Sequence, residues 1–115
     1  MTKTASTVRT LSWEDEALVL IDQRKLPHQL EYVRCDCLDD VIAAIQTMVI
    51  RGAPAIGIAA AYGVVLAARA AQKEHGDAWA KAIEIDCQRL RAARPTAVNL
   101  AWAVDAMRKK VPPTE

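Results

Sequence analysis

The spacing of apolar and polar positions changes repeatedly along this chain, and each change marks a new element. From Thr7 to Pro27 the stretches VRTLSW and ALVLIDQ are rich in β-formers and flank the acidic tripeptide EDE, which predicts a hairpin. Glu31–Cys37 then alternates strictly. Val33, Cys35 and Cys37 fall on one face and Tyr32, Arg34 and Asp36 on the other, so a strand with one buried face is predicted. After Cys37 the period lengthens. Leu38, Val41, Ile42, Ile45, Met48 and Val49 recur at three- and four-residue spacing behind the acidic Asp39 and Asp40, the pattern of an amphipathic helix ending near Ile50.

Pro54 suits a first helical turn, and from there to about Ala71 the sequence PAIGIAAAYGVVLAARAA is apolar on nearly every face until Arg69. A helix of this kind is buried on most sides and is expected at the centre of the fold. Its interior Gly57 and Gly63 each cost roughly 1 kcal/mol against alanine, a cost that close packing must offset. The polar run from Gln72 to Asp77 reads as a loop, with Asp77 capping a third helix that carries Trp79, Ile83, Cys87 and Leu90 on one stripe and stops at Pro95. A fourth helix is predicted from about Thr96 to Lys110. It buries Leu100, Val104, Met107 and Val111 and places Arg108, Lys109 and Lys110 in its last turn, where cations favour the helix dipole. The class is α+β: a small antiparallel sheet of about three strands, then a region like a four-helix bundle. Residues 1–115 read as one domain, β-rich over 7–37 and helical over 38–111, with 112–115 starting a linker.

Composition narrows the function classes. Apolar residues make up 52% of the 115 positions and charged residues 25%, and the formal net charge is +1. Without a bulk field, neither nucleic acid nor a membrane surface is an expected partner, and a charged ligand must be held locally. The N-terminus lacks the apolar core of a signal peptide, and no apolar run reaches the ~20 residues of a bilayer span. Three scattered cysteines do not make a disulfide framework and fit a reducing, cytoplasmic setting.

The candidate chemistry lies between helices. Arg51 stands between the end of one helix and the proline that opens the next, so the N–H groups of Gly52, Ala53, Ala55 and Ile56 fall at a helix N-terminus, where unpaired donors and partial positive charge collect. Gly52 admits positive φ or a close ligand, and a guanidinium offers a phosphate a planar, bidentate donor. Arg94-Pro95-Thr96 repeats the arrangement, and the two loops are expected to meet at one edge and grip one phosphate. The plainer reading is that both arginines end helices and that the glycine and prolines are turn residues. Cys35 and Cys37 form a C-x-C pair, but His28 and His75 are not in register to complete a metal site, so both cysteines, and Cys87 on its helix stripe, read as buried packing residues. Glu14-Asp15-Glu16 reads as a solvated turn rather than a carboxylate pair. Trp13, Trp79 and Trp102 read as core or interface anchors.

RGAPAIGIAAAYGV resembles the signature of methylthioribose-1-phosphate isomerases, and LSWEDEALVLIDQRKLP, IQTMVIRGAP and ARPTAVNLAWAVDAM follow the same order. The resemblance runs from Leu11 to Met107. It implies a family that includes archaeal ribose-1,5-bisphosphate isomerases and regulatory subunits of a translation-initiation exchange factor, all with a helical N-terminal part and a Rossmann-like C-terminal part. By that resemblance, Arg51, Gly52, Ala53 and Arg94 bind the phosphate of a small sugar-phosphate substrate. The implied reaction is an aldose–ketose isomerisation in methionine salvage, using no metal or nucleotide cofactor. Its cysteine and aspartate come from C-terminal motifs not found in this chain, so no catalytic residue is assigned here and the chain alone is expected to be inactive. The full-length protein is expected to be a cytoplasmic homodimer. The alternatives are a ribose-1,5-bisphosphate isomerase domain or a non-catalytic interaction module like the exchange-factor subunits.

Overall fold

A computed structural model of the chain describes residues 11–50 and 52–110. Strands β1 (Leu11–Glu14), β2 (Ala17–Ile21) and β3 (Tyr32–Cys35) form an antiparallel sheet in the order β1-β2-β3. The predicted hairpin is present. Leu11 pairs with Leu20 and Glu14 with Ala17, which leaves a two-residue turn in which Asp15 and Glu16 both take positive φ (50° and 64°). That backbone matches the right-handed twist of the strands it joins. The central strand β2 buries Ala17, Leu18, Leu20 and Ile21 and leaves Val19 half-buried. Residues 7–10 of the predicted hairpin lie outside the described residues, as do Val111 of the fourth helix and the 112–115 segment.

Four helices follow: α1 (Leu38–Gln46), α2 (Ala53–His75), α3 (Trp79–Arg91) and α4 (Val98–Arg108), with a short 3-10 turn at Gly76–Ala78. Several boundaries differ from expectation. Helix α1 ends at Gln46 and not near Ile50, because Met48 takes φ 67°. The N–H of Val49 then donates to Ala44 O (2.9 Å) and that of Met48 to Ile45 O (3.4 Å). These two bonds make a Schellman end, with methionine where glycine is usual, and Met48 is exposed while Val49 and Ile50 are buried. The polar run after Ala71 is helical to His75 rather than a loop, since an exposed last turn tolerates polar residues. Asp77 sits in the 3-10 turn and does not cap α3, whose N-cap is Ala78 with no side-chain bond. The α3 stripe holds, with Ile83, Cys87 and Leu90 buried and Trp79 half-buried. Helix α4 begins at Val98, after the turn through Pro95, and Lys109 and Lys110 fall beyond its last turn.

Helix α2 is central, packed by α1, α3, α4 and β2. The helical run from Ala53 to Arg91 contains an 18-residue window long and apolar enough to cross a membrane by length and composition. Enclosure by protein calls for the same apolar surface. At Gly63 a Cβ would lie 3.2 Å from both Leu90 Cδ2 and Val41 Cγ1 and 3.4 Å from Leu38 Cδ1, so this is where α1, α2 and α3 converge. Gly57 faces Asn99 O at 3.7 Å and Ala103 Cβ at 3.9 Å, ordinary contact distances.

The two interior glycines should therefore respond oppositely. Gly57→Ala is expected to stabilise by up to ~1 kcal/mol through helix propensity, whereas Gly63→Val overpacks the three-helix junction and should cost about 1–3 kcal/mol. Urea unfolding of the two variants measures both.

Candidate anion-binding site

Helix α2 begins at an unusual point in the backbone. Its N-cap is Gly52 at φ 96°, Pro54 occupies the first turn, and neither a side-chain cap nor an acidic residue serves this end. The first intrahelical bond runs from Ile56 N–H to Gly52 O (2.9 Å), so Ile56 is not among the free donors expected from the sequence. The N–H groups of Ala53 and Ala55 precede that bond, and Pro54 has none to offer. Gly52, Ala53 and Pro54 are exposed, and nothing lies within 4 Å of where a Gly52 Cβ would stand. Glycine is required there by the backbone, not by crowding, and the space beside it is open.

Helix α4 starts at the same end of the bundle. Gly57, one turn into α2, abuts Asn99 and Ala103 of α4, so α2 and α4 pack directly side by side in one direction, and α3, which joins them in the chain, runs back the other way. The turn that precedes α4 is closed by Ala97 N–H donating to Arg94 O (2.9 Å), with Pro95 at the position where its fixed φ suits such a turn. Helix α4 also begins without a side-chain cap or an acidic residue. Arg94 is half-buried. Arg24, Arg34, Arg69, Arg89, Arg91 and Arg108 each lie within ion-pair distance of an aspartate or glutamate. Among the described residues Arg94 alone of the arginines has no such carboxylate. Arg51 lies outside the described residues, and with it the expected meeting of the two guanidinium groups.

A groove of about 590 Å³ runs from Pro54 along the α2–α4 seam, walled by Gly57, Ile58, Tyr62, Trp102, Ala103 and Met107 among others. Sequence reasoning missed it. Trp102 is not a core anchor but is 70% exposed, and Ile58 and Val98 are exposed nearby. Trp13 stacks on Tyr62 with centroids 5.0 Å apart and ring planes at 11°, which fixes that side of the groove to β1.

The cysteines divide. Cys35 and Cys87 are buried, but Cys37 is exposed, because the strand ends at Cys35 and Cys37 becomes the N-cap of α1. Burial, reinforced by nearby Asp40, pushes the Cys35 thiol up to about 12, so it is no nucleophile near neutral pH. Burial raises Cys87 as well.

The sequence profile described as the Initiation factor 2 subunit family matches residues 49–114, more than half of the chain. The chain belongs to the initiation factor 2 subunit family. Its relatives include the methylthioribose-1-phosphate isomerase of Alkalilimnicola ehrlichii, 55% identical over 105 residues that make up 91% of this chain and 30% of the relative. The crystal structure of 5-methylthioribose 1-phosphate isomerase from Pyrococcus horikoshii superposes with a TM-score of 0.82 at 35% identity, over 90% of this chain and 29% of that one. Translation initiation factor eIF-2B, subunit delta, from A. fulgidus gives 0.79 at 38% identity, over 86% and 29%. This member of the initiation factor 2 subunit family thus spans about 30% of the length of the relatives it matches.

Two backbone positions flanking Arg51 give mirror-image expectations. Gly52→Ala forces a Cβ into positive φ and should cost about 1–3 kcal/mol, while Met48→Gly relieves the left-handed helix end and should add about 1 kcal/mol. Thermal unfolding of both variants reads the difference. With a thiol reagent at neutral pH, Cys37 should react rapidly, and Cys35 and Cys87 should react only on unfolding. Cys37→Ser should abolish the fast phase.

Proposed function

We propose that this chain is the N-terminal, substrate-phosphate-binding domain of an isomerase that converts 5-methylthioribose 1-phosphate to 5-methylthioribulose 1-phosphate in methionine salvage. The observation that carries the reading is Arg94, an arginine without a carboxylate partner among the described residues, at the end where α2 and α4 both begin. Arg51, Gly52, Ala53 and Arg94 hold the phosphate in this reading, through guanidinium groups and the free helix-end amides. Kinship with named isomerases at about 55% identity supports it. With the phosphate fixed, the sugar lies against the mouth of the groove, whose lining near Pro54 is apolar. Such a wall accepts a thioether better than a second phosphate, which favours methylthioribose 1-phosphate over ribose 1,5-bisphosphate.

Because C1 carries the phosphate as an acetal, the ring must be opened with acid–base help before hydrogen moves between C1 and C2. The groups that do this come from outside the chain, and the domain's part is to bind and orient. The whole protein is taken to be a cytoplasmic homodimer, a setting in keeping with the exposed thiol of Cys37. A second reading, a non-catalytic interaction module, is favoured by the exposed Ile58, Val98 and Trp102 and by the likeness to the delta subunit.

Kinetics of the whole protein with methylthioribose 1-phosphate decide between them. Arg94→Ala and Arg51→Ala should each lower kcat/KM roughly 10- to 150-fold, the worth of a charge-assisted hydrogen bond, with little change in Tm. Arg51→Lys should restore only part, since an ammonium lacks the planar fork. The 115-residue chain alone should show no turnover. Unaltered kinetics in both alanine variants, or no isomerase activity in the whole protein, overturns the reading in favour of the interaction module.

A further inference from the structure

Among the described residues one charged side chain is buried: Asp22, 2% exposed, immediately after β2 and covered from the solvent side by Arg24. Arg24 encloses its carboxylate, donating from Nε to Oδ1 (2.9 Å), from Nη2 to Oδ2 (2.8 Å) and from its own backbone N–H to Oδ1 (3.0 Å). The last of these is an Asx turn, and Lys25 N–H donating to Asp22 O (3.1 Å) closes the main chain around it. The backbone N–H of Asp22 is itself held by Glu31 O (2.8 Å). Burying a carboxylate is expensive even when it is paired, and an apolar residue at such a site is often no less stable. Here the partner Arg24 stays half open to solvent, and what the pair fixes is the turn that follows β2.

The locked turn presents the N–H of Gln23, which donates to Val49 O at 2.9 Å. Val49 N–H is already committed to Ala44 O at the end of α1. The Val49 residue is thus clamped from both sides, three positions before Gly52. We propose that Asp22 is a positioning residue for the start of α2: by fixing Gln23 it holds Val49, at the end of α1 and three positions before the Gly52 N-cap, from the sheet side. The pairing with Arg24 also holds the Asp22 carboxyl below its ordinary range, so the clamp is ionised throughout neutral pH. The proposal rests on the phosphate-binding reading for its ligand, but the clamp on the backbone can be measured without one.

The test compares Asp22→Ala and Asp22→Asn with the wild type in the whole protein. Hydrogen exchange is followed over residues 49–56 and over α3, and titration with inorganic phosphate gives the affinity. Asp22→Ala should speed exchange over residues 49–56 by about tenfold while α3 is unchanged, and should weaken phosphate binding by about tenfold. Asp22→Asn keeps the Asx acceptor but loses the ion pair and should fall between. If Asp22→Ala does not fold, Asp22→Asn and Arg24→Gln carry the same comparison. Faster exchange spread evenly over all elements, with phosphate affinity of the folded protein unchanged, assigns Asp22 to general stability and overturns the proposal. Local loosening over 49–56 in a protein whose wild type binds no phosphate upholds the clamp and refutes the phosphate-binding reading instead.

Discussion

The rest of this structure depends on enclosing α2. Its 23 residues include so many alanines and glycines that neighbouring backbones must come close before they find enough apolar surface to bury. At Gly63 they do: Leu38 and Val41 of α1 and Leu90 of α3 come so close that a Cβ there would be crowded at 3.2–3.4 Å. Close packing of this kind is what offsets the poor helix propensity of glycine. The sheet completes the enclosure through β2 and through Trp13, which stacks on Tyr62. One strip of α2 beside α4 is left open, and that strip is the groove.

The same enclosure places the chemistry. Since α3 returns along α2 and α4 runs back again, the starts of α2 and α4 share one end of the bundle, and the arginine-bearing turn before α4 arrives there without any long loop. Both helix starts lack side-chain caps, which leaves their amides for a ligand or for water. Positive φ at Met48 and at Gly52 brackets the intervening segment. A non-glycine residue in that region stores strain, and strain tends to be kept where a backbone must be held in one particular path. The Asp22–Gln23–Val49 contacts hold Val49 from the sheet side.

Ion pairs between exposed side chains tie the layers together at their edges: Arg69 with Glu16 of the hairpin turn, Arg89 with Asp39 of α1, Arg91 with Asp105, and Arg108 with Glu84. Each adds little to stability at the surface. Their more telling effect is on the supply of cations, because they commit Arg69, Arg89, Arg91 and Arg108 to carboxylates and leave Arg94 without one among the described residues.

Local chemistry was legible in the chain because periodicity and turn residues act over a few positions. The alternation of Tyr32–Cys35, the α1 stripe through Leu38, Val41, Ile42 and Ile45, the acidic hairpin turn and the apolar run of α2 up to Arg69 each follow from spacing alone, whereas the choice of Arg51, Gly52, Ala53 and Arg94 as candidates drew on spacing and on the family resemblance together. What spacing cannot carry is the decision of which face meets which neighbour. Cys37 and Met48 fit their stripes in sequence yet are exposed, because the strand and the helix end before reaching them. Trp102, read as a core or interface anchor, is exposed and so not in the core, because no described element covers that side of α4. The parallel run of α2 and α4, the groove between them and the contact of Gln23 with Val49 join residues far apart in the chain. They exist only once the helices have packed, since burial and long-range hydrogen bonding are properties of the assembled core and not of any single segment.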